Sequence, residues 1–516
     1  MRKLSKILFL AAIFNALTWI IIIPVWQYPD EQAHFAQVQD RAEIGYVPPY
    51  NNTSLEINRS EQVLDTERDN GGNNKFTYHP EYKNSFSNTL FGPHEQELRN
   101  MDSSSRKTFV KIEATRNPPL YYFLGSLAYK TVYNGSLFDR VYAVRFFSVM
   151  LFLLNVVVAY KVAKLIFEKN QTLQITLPTF VAFTPMLVFA STGVLPDPLT
   201  NLLFGVVIFI CLLIIKFGLS PKYLLSAAVI TALGFYTRQQ FIIAFPFFVL
   251  AIFTHFLMTK SYKKILAPIA LGVAVPLFFK LFPGVYDLPE IGLPNLTLLA
   301  TPEFITSFSW TLRHSYAEIL PWYWGVYKWL SLTLPHPVYQ IINRLIVVSI
   351  LGLLIQIVLA IRRKKLLSQA PLIYLIVISA AYFLVFAIGD FLFQHQYGYS
   401  FGIQGRYFFP LVIAHLAILI YGFWGLVGIL PGKLKKFFLP AFTLLILSFN
   451  DFSLYFLASS YYDTTSVDTF INQLSQYKPL FFKGNILFLL FSTGIVLQLV
   501  LMYNLIKFSL RQNESN

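Results

Sequence analysis

Runs of about twenty apolar residues recur along this chain, divided by short clusters of lysine and arginine, and that alternation decides the fold class. Each run is long enough to cross a hydrocarbon layer of roughly 30 Å as a helix. The composition agrees: of 516 residues 55% are hydrophobic and 13% charged, with mean hydropathy +0.54. A soluble domain has no means of burying that much apolar surface. The expected fold is an all-α polytopic membrane protein with about twelve transmembrane helices. They are Ile7–Trp26, Val141–Phe167, Ile175–Val194, Pro198–Ile215, Tyr223–Tyr236, Phe241–Met258, Ile265–Phe282, Val338–Ile361, Leu372–Ile388, Tyr407–Ile429, Phe437–Leu457 and Ile486–Ile506. The first run is too long for a signal-peptide core and no Ala-x-Ala site follows it, so it is expected to remain as a span.

A net charge of +15 would suit a nucleic-acid binder, but its distribution does not. Arg2/Lys3/Lys6, Lys161/Lys164/Lys169, Lys216/Lys222, Lys260/Lys263/Lys264, Arg362 to Lys365, Lys433/Lys435/Lys436 and Lys507/Arg511 alternate with the spans so that all fall on one side. Placing that side in the cytoplasm satisfies the positive-inside rule, leaving about +18 there and about −3 opposite. Both termini are then cytoplasmic in a multi-pass protein of the plasma membrane, with the lipid bilayer rather than nucleic acid as partner. The single cysteine, Cys211, lies in an apolar run and offers neither a disulfide framework nor a thiolate metal site.

The chain reads as one integral membrane domain, residues 1–516, with two long outer loops at residues 27–140 and 283–337. The first begins with an amphipathic helix through Phe35, Val38, Ala42 and Ile44, and continues through a flexible stretch around Gly71-Gly72. It closes with an interfacial helix from Pro119 to Tyr133. The second carries Trp310, Trp322, Tyr323, Trp324, Tyr327 and Trp329, the pattern of another helix at headgroup level. No cytoplasmic loop is long enough for a nucleotide-binding domain and there is no P-loop, so any chemistry falls to the outer loops and span ends.

Charged groups at that outer boundary are few. Asp30, Glu31 and His34 follow the first span; Asp and Glu also suit a first helical turn. Asp197 sits in Leu195-Pro196-Asp197-Pro198, where a tight turn with an Asx hydrogen bond is the structural alternative. Arg238 lies in a short turn and Arg406 beside Gly405 and Gln404, each offering a fork of donors suited to phosphate, or simply snorkelling from a span end. The glycines around Arg406 are expected to let a ligand approach closely. Arg313 and His314 extend the set, whereas Lys328 and Arg344 read as snorkelling residues.

Taken in order, these elements resemble the GT-C superfamily of polytopic glycosyltransferases, in its protein-mannosyltransferase-like and aminoarabinose-transferase-like branch. The matching features are Asp30-Glu31 after the first span, Pro118-Pro119-Leu120-Tyr121-Tyr122 closing the first outer loop, and Asp197 at the second outer turn. Gly405-Arg406-Tyr407 resembles bacterial relatives of unassigned function. Asn117, preceded by Arg116, stands where some relatives carry Lys or His, and no counterpart of the soluble carboxy-terminal domain of larger relatives is expected within these residues. The resemblance implies a GT-C-like architecture and inverting transfer of a sugar from a polyprenyl-phosphate donor to a glycan, lipid or protein acceptor on the extracytoplasmic face. It makes Asp30 the general base, with Glu31 and Asp197 orienting the acceptor, and leaves room for a divalent cation (Mg or Mn) at Asp30 and Glu31. It gives the donor phosphate to Arg406, Arg238 and Arg116, with His34, Asn117, Gln404, Tyr407 and Arg313 as auxiliaries. Two alternatives compete. An O-antigen ligase or polymerase would carry its large loop late, and a transporter or flippase of lipid-linked sugar would show internal repeats and charged mid-span helices.

Overall fold

A computed structural model describes residues 2–46, 50–69, 71–115, 117–261, 296–428 and 431–511. The chain opens with the apolar helix α1 (Arg2–Ile22), and the segment after it carries α2 (Glu31–Glu43), β1 (Tyr50–Ser54), α3 (Leu55–Val63), α4 (Glu95–Arg99), β2 (Phe109–Thr115) and α5 (Leu120–Thr131). This segment is built, not the flexible loop expected. β1 and β2 pair antiparallel, Ser54 caps α3 by accepting from Ile57 N at 3.3 Å, and Asp69 Oδ1 accepts from Gly71 N at 2.8 Å and Asn73 N at 2.9 Å, fixing the glycine turn. Nor is α2 amphipathic: Gln32, Gln37 and Gln39 are buried along with Phe35 and Val38.

Next come α6 (Leu137–Ile166), started by a Ser136–Asp139 capping box, then α7 (Gln171–Phe183) and α8 (Pro185–Thr192), which meet at a 56° bend. Pro185 explains that break, having no N–H for the ladder. α9 (Asp197–Phe217) ends at Gly218 with φ 82, and α10 (Pro221–Phe235) and α11 (Ala244–Met258) follow. The expected span Ile265–Phe282 lies outside the described residues. Beyond it are α12 (Pro302–His314), α13 (Leu320–Trp324), the hairpin β3 (Val326–Tyr327) and β4 (Leu332–Thr333), and then α14 (His336–Arg362), α15 (Ala370–Tyr397), α16 (Val412–Val427), α17 (Phe438–Tyr461), α18 (Val467–Ser475) and α19 (Asn485–Arg511).

Among the described residues, nine helices are long and apolar enough to cross a membrane, and the bent pair makes a tenth. α10, with 15 residues, is shorter than a straight span of about 20 residues. Every expected span outside residues 262–295 thus has its helix, and the protein is an all-α polytopic membrane protein. α6, α8 and α9 form the buried centre, while α14 and α19 turn mostly exposed apolar side chains outward. α14 and α16 touch through Gly352, Gly422 and Gly425, where a Cβ would strike the facing backbone.

The aromatic second loop differs from the expected headgroup-level helix. Trp324, Tyr327 and Trp329 are buried in protein, and Trp329 Nε1 donates to Trp26 O at 3.1 Å. Lys328 does not snorkel either: its buried ammonium donates to the carbonyls of Pro80, Tyr82 and Ser460, joining both long loops to α17. α5 and α12 do carry exposed apolar side chains, Phe123 and Leu127 on one and Ile305, Trp310 and Leu312 on the other, as helices at a bilayer surface do.

Candidate active site

Asp30 precedes α2 in the left-handed conformation, φ 55 and ψ 20, which Asp tolerates better than most residues. Glu31, the next residue, is fully buried. Its Oε1 accepts from Arg145 Nε at 2.8 Å and Val194 N at 3.2 Å, and its Oε2 from Arg145 Nη2 at 2.6 Å and Trp26 N at 3.0 Å. Those four donors fill a carboxylate's capacity. Arg145 also donates to Ile20 O, Ile23 O and Pro24 O, satisfying carbonyls at the end of α1. Glu31 therefore holds α1, α6 and the turn after α8 together. The expectation that it orients an acceptor or a metal is corrected: its carboxylate faces inward and is saturated.

Asp30 is different. Arg68 Nη1 reaches its Oδ1 at 2.6 Å, the Asp30 side chain is 44% exposed, and among the described residues its Oδ2 has no hydrogen-bond partner. One lone-pair face of this carboxylate remains open to a ligand.

Three consecutive residues at the start of α5 place the other charged groups around it. Leu120 N donates to Tyr236 O at 2.8 Å, fixing the turn that bears Arg238. Tyr121 OH, 2.8 Å from Ser148 Oγ, accepts from Leu195 N at 3.0 Å, fixing the turn that bears Asp197. Tyr122 OH lies 2.8 Å from His34 Nδ1, fixing the first turn of α2. Gly193 contributes by absence, since a Cβ there would come within 2.5 Å of the Tyr28 ring. The Pro-Pro-Leu-Tyr-Tyr element is thus a fastening for three separate segments.

The result is a mixed-charge cluster. Arg238 Nη2 pairs with Asp197 Oδ1 at 3.2 Å, both partly buried. Arg406 has no carboxylate partner among the described residues; its Nε donates to Gln404 Oε1 at 2.8 Å and its guanidinium stands 5.7 Å from the Tyr407 ring. Asp30, Asp197, Arg238 and Arg406 all act electrostatically on the His34 ring. Burial, opposed by Asp30 and assisted by Arg238, pushes the His34 imidazole down to about 4. His34 is therefore neutral near pH 7.

The remaining expected residues scatter. Asn117 N donates to Gln37 Oε1 at 3.3 Å, at the edge of α2. Tyr407 packs on Phe386 and Phe401, and its carbonyl accepts from Tyr382 OH at 3.1 Å. Arg313 is exposed on α12, with no contact to the cluster among the described residues. Arg116 lies outside the described residues. Gly405 makes room for the backbone of Tyr323 rather than for a ligand.

Sequence reasoning passed over Arg68 and Arg145. Arg145 did leave a signal, a charge near the outer end of an apolar run; Arg68 left none, being one of many charges in a polar stretch. The metal expectation does not fit. Arg145 saturates Glu31, Arg68 holds Asp30, and among the described residues no three His, Cys, Asp or Glu side chains gather as ligands.

Among solved structures the chain is similar to the apo crystal structure of the Archaeoglobus fulgidus oligosaccharyltransferase, with 14% identity and a TM-score of 0.43, covering 89% of this chain and 56% of that one. It is also similar to the Archaeoglobus fulgidus oligosaccharyltransferase AglB in complex with an inhibitory peptide and a dolichol-phosphate, with 13% identity, a TM-score of 0.43 and the same coverage, 89% and 56%. The chain spans just over half the length of these proteins. No curated protein matches it. A family model described as "Predicted membrane protein (DUF2142)" matches residues 13–414, well over half of the chain, and this protein belongs to that family.

Proposed function

We propose that this protein transfers a sugar from a polyprenyl-phosphate donor to an acceptor hydroxyl on the extracytoplasmic face of the plasma membrane, with inversion at the anomeric carbon. The observation that carries this reading is the convergence of an open carboxylate, Asp30, with an arginine that has no carboxylate partner among the described residues, Arg406, beside the Asp197–Arg238 pair. The GT-C resemblance of the same residues supports it. Asp30 takes the acceptor proton as the oxygen attacks the anomeric carbon; the bond from that carbon to the phosphate oxygen breaks, and the phosphate leaves with its electron pair. Arg406 and Arg238 stabilise the departing phosphate. Asp197 keeps the Arg238 fork in place, Arg68 aims Asp30, and neutral His34 braces Tyr122. Glu31 positions the site through Arg145 and touches no reactant.

Incubation of the lipid-reconstituted protein with a series of polyprenyl-phosphate sugars and a mixed acceptor pool tests this, read as loss of sugar from the carrier. Wild type should release sugar and Asp30→Asn should not. Equal release by both, at equal thermal stability, would remove Asp30 from the reaction.

A further inference from the structure

The segment that carries Arg68 also lines a cleft. Glu67 and Asp69 flank Arg68 in the chain, and with Asn73, Asn74, Tyr78 and Tyr82 they line a concavity of about 490 Å³. That volume falls within the roughly 300–1,000 Å³ of small-molecule clefts.

Its chemistry is specific. Tyr78 and Tyr82 hold their rings outward, 63% and 44% exposed, although the neighbouring Phe76 is buried. Tyr78 is fixed in that pose at φ 61, with its N–H on Trp329 O at 3.3 Å. Around the rings stand planar carboxylate and amide groups. Asp69 spends Oδ1 on the glycine turn. Asn74 is 8% exposed and uses its Oδ1 on Phe76 N at 3.0 Å, yet its buried Nδ2 has no partner among the described residues. Flat exposed rings flanked by planar hydrogen-bonding forks suit a sugar, whose C–H face packs on an aromatic ring while adjacent hydroxyls pair with carboxylate and amide.

We propose that this cleft binds saccharide units of the acceptor, a glycan chain, away from the hydroxyl that reacts. The proposal rests on the glycosyl-transfer reading and narrows its acceptor from three classes to one. Arg68 couples the two places: its neighbours grip the glycan while its guanidinium holds Asp30.

The test uses the full chain in lipid nanodiscs on an immobilised array of neutral and acidic oligosaccharides of three to six units. Wild type binds at least one class. Tyr78→Ala weakens that binding at least tenfold, and Tyr78→Phe restores it. Circular dichroism melts of each variant guard against misfolding, and Asn74→Asp gives a second probe should Tyr78→Ala melt early. Absence of binding to every oligosaccharide, or binding indifferent to Tyr78→Ala and Asn74→Asp, overturns the cleft. Saccharide binding intact in a protein that removes no sugar from any carrier overturns the chemistry at Asp30 and leaves the cleft standing.

Discussion

Asp30 and Glu31 are consecutive, yet Arg68 holds the first at 2.6 Å on a partly exposed rim while Arg145 grips the second at 2.8 and 2.6 Å in the interior. A single left-handed residue divides the pair, leaving one carboxylate open at the rim and the other saturated in the interior.

The two carboxylates should therefore fail differently. Asp30→Asn keeps a side chain that tolerates φ 55 but gives up the ion pair to Arg68, so melting should drop less than in Glu31→Gln while transfer falls about 10²–10⁴-fold. Glu31→Gln should instead lower stability by roughly 3–5 kcal/mol by stranding the Arg145 charge, and Glu31→Gln with Arg145→Met should regain part of it. Thermal melts in detergent, run beside the transfer assay, separate the two cases.

Arg406 and Arg238 should differ as phosphate ligands. Arg406 has no ion pair among the described residues to give up, so Arg406→Ala should weaken donor binding by a charge-assisted bond, about 1.5–3 kcal/mol. Arg238→Ala also strands Asp197, a negative charge beside the phosphate, and should lower kcat as well as raise KM. Equilibrium binding of a short polyprenyl phosphate gives the first; initial rates against donor concentration give the second.

Tyr121→Phe removes one oxygen and leaves Leu195 N, a buried donor, without its partner. A loss of about 1–3 kcal/mol is expected. Transfer should fall along with stability because the Asp197 turn is released, and hydrogen exchange should rise first at residues 193–197.

Acidification should cost stability through His34. Its folded value near 4 lies below the 6.5 of an unfolded histidine, so between those values the unfolded chain takes up a proton that the folded chain refuses. Stability then falls as pH drops through that window, by up to about 1.4 kcal/mol per pH unit. Asp40, whose carboxyl burial pushes up to about 7, acts in the opposite sense between roughly pH 4 and 7. Subtracting the pH profile of His34→Gln from that of wild type isolates the histidine.

The spans were legible because twenty-residue apolar runs and basic clusters are local signals. Asp30, Asp197, Arg238 and Arg406 stood out for a similar reason, as rare charges at span ends, and the fold gathers them. Pairing was not legible. Arg68 meets Asp30 across 38 positions and Arg145 meets Glu31 across 114, distances over which no periodicity carries information. Gly405 misled because a glycine marks close approach without saying of what, and here the neighbour is the backbone of Tyr323. The aromatic second loop misled because Trp and Tyr suit a bilayer interface and a protein core equally well.

Leu120, Tyr121 and Tyr122 anchor three segments through uncharged bonds: an amide to a carbonyl, an amide to a phenol, and a phenol to a neutral imidazole. The backbone segments that carry the site's charges are thus fastened in part by groups that ions do not screen. Added salt should weaken the pull on an anionic ligand without redrawing the frame that receives it.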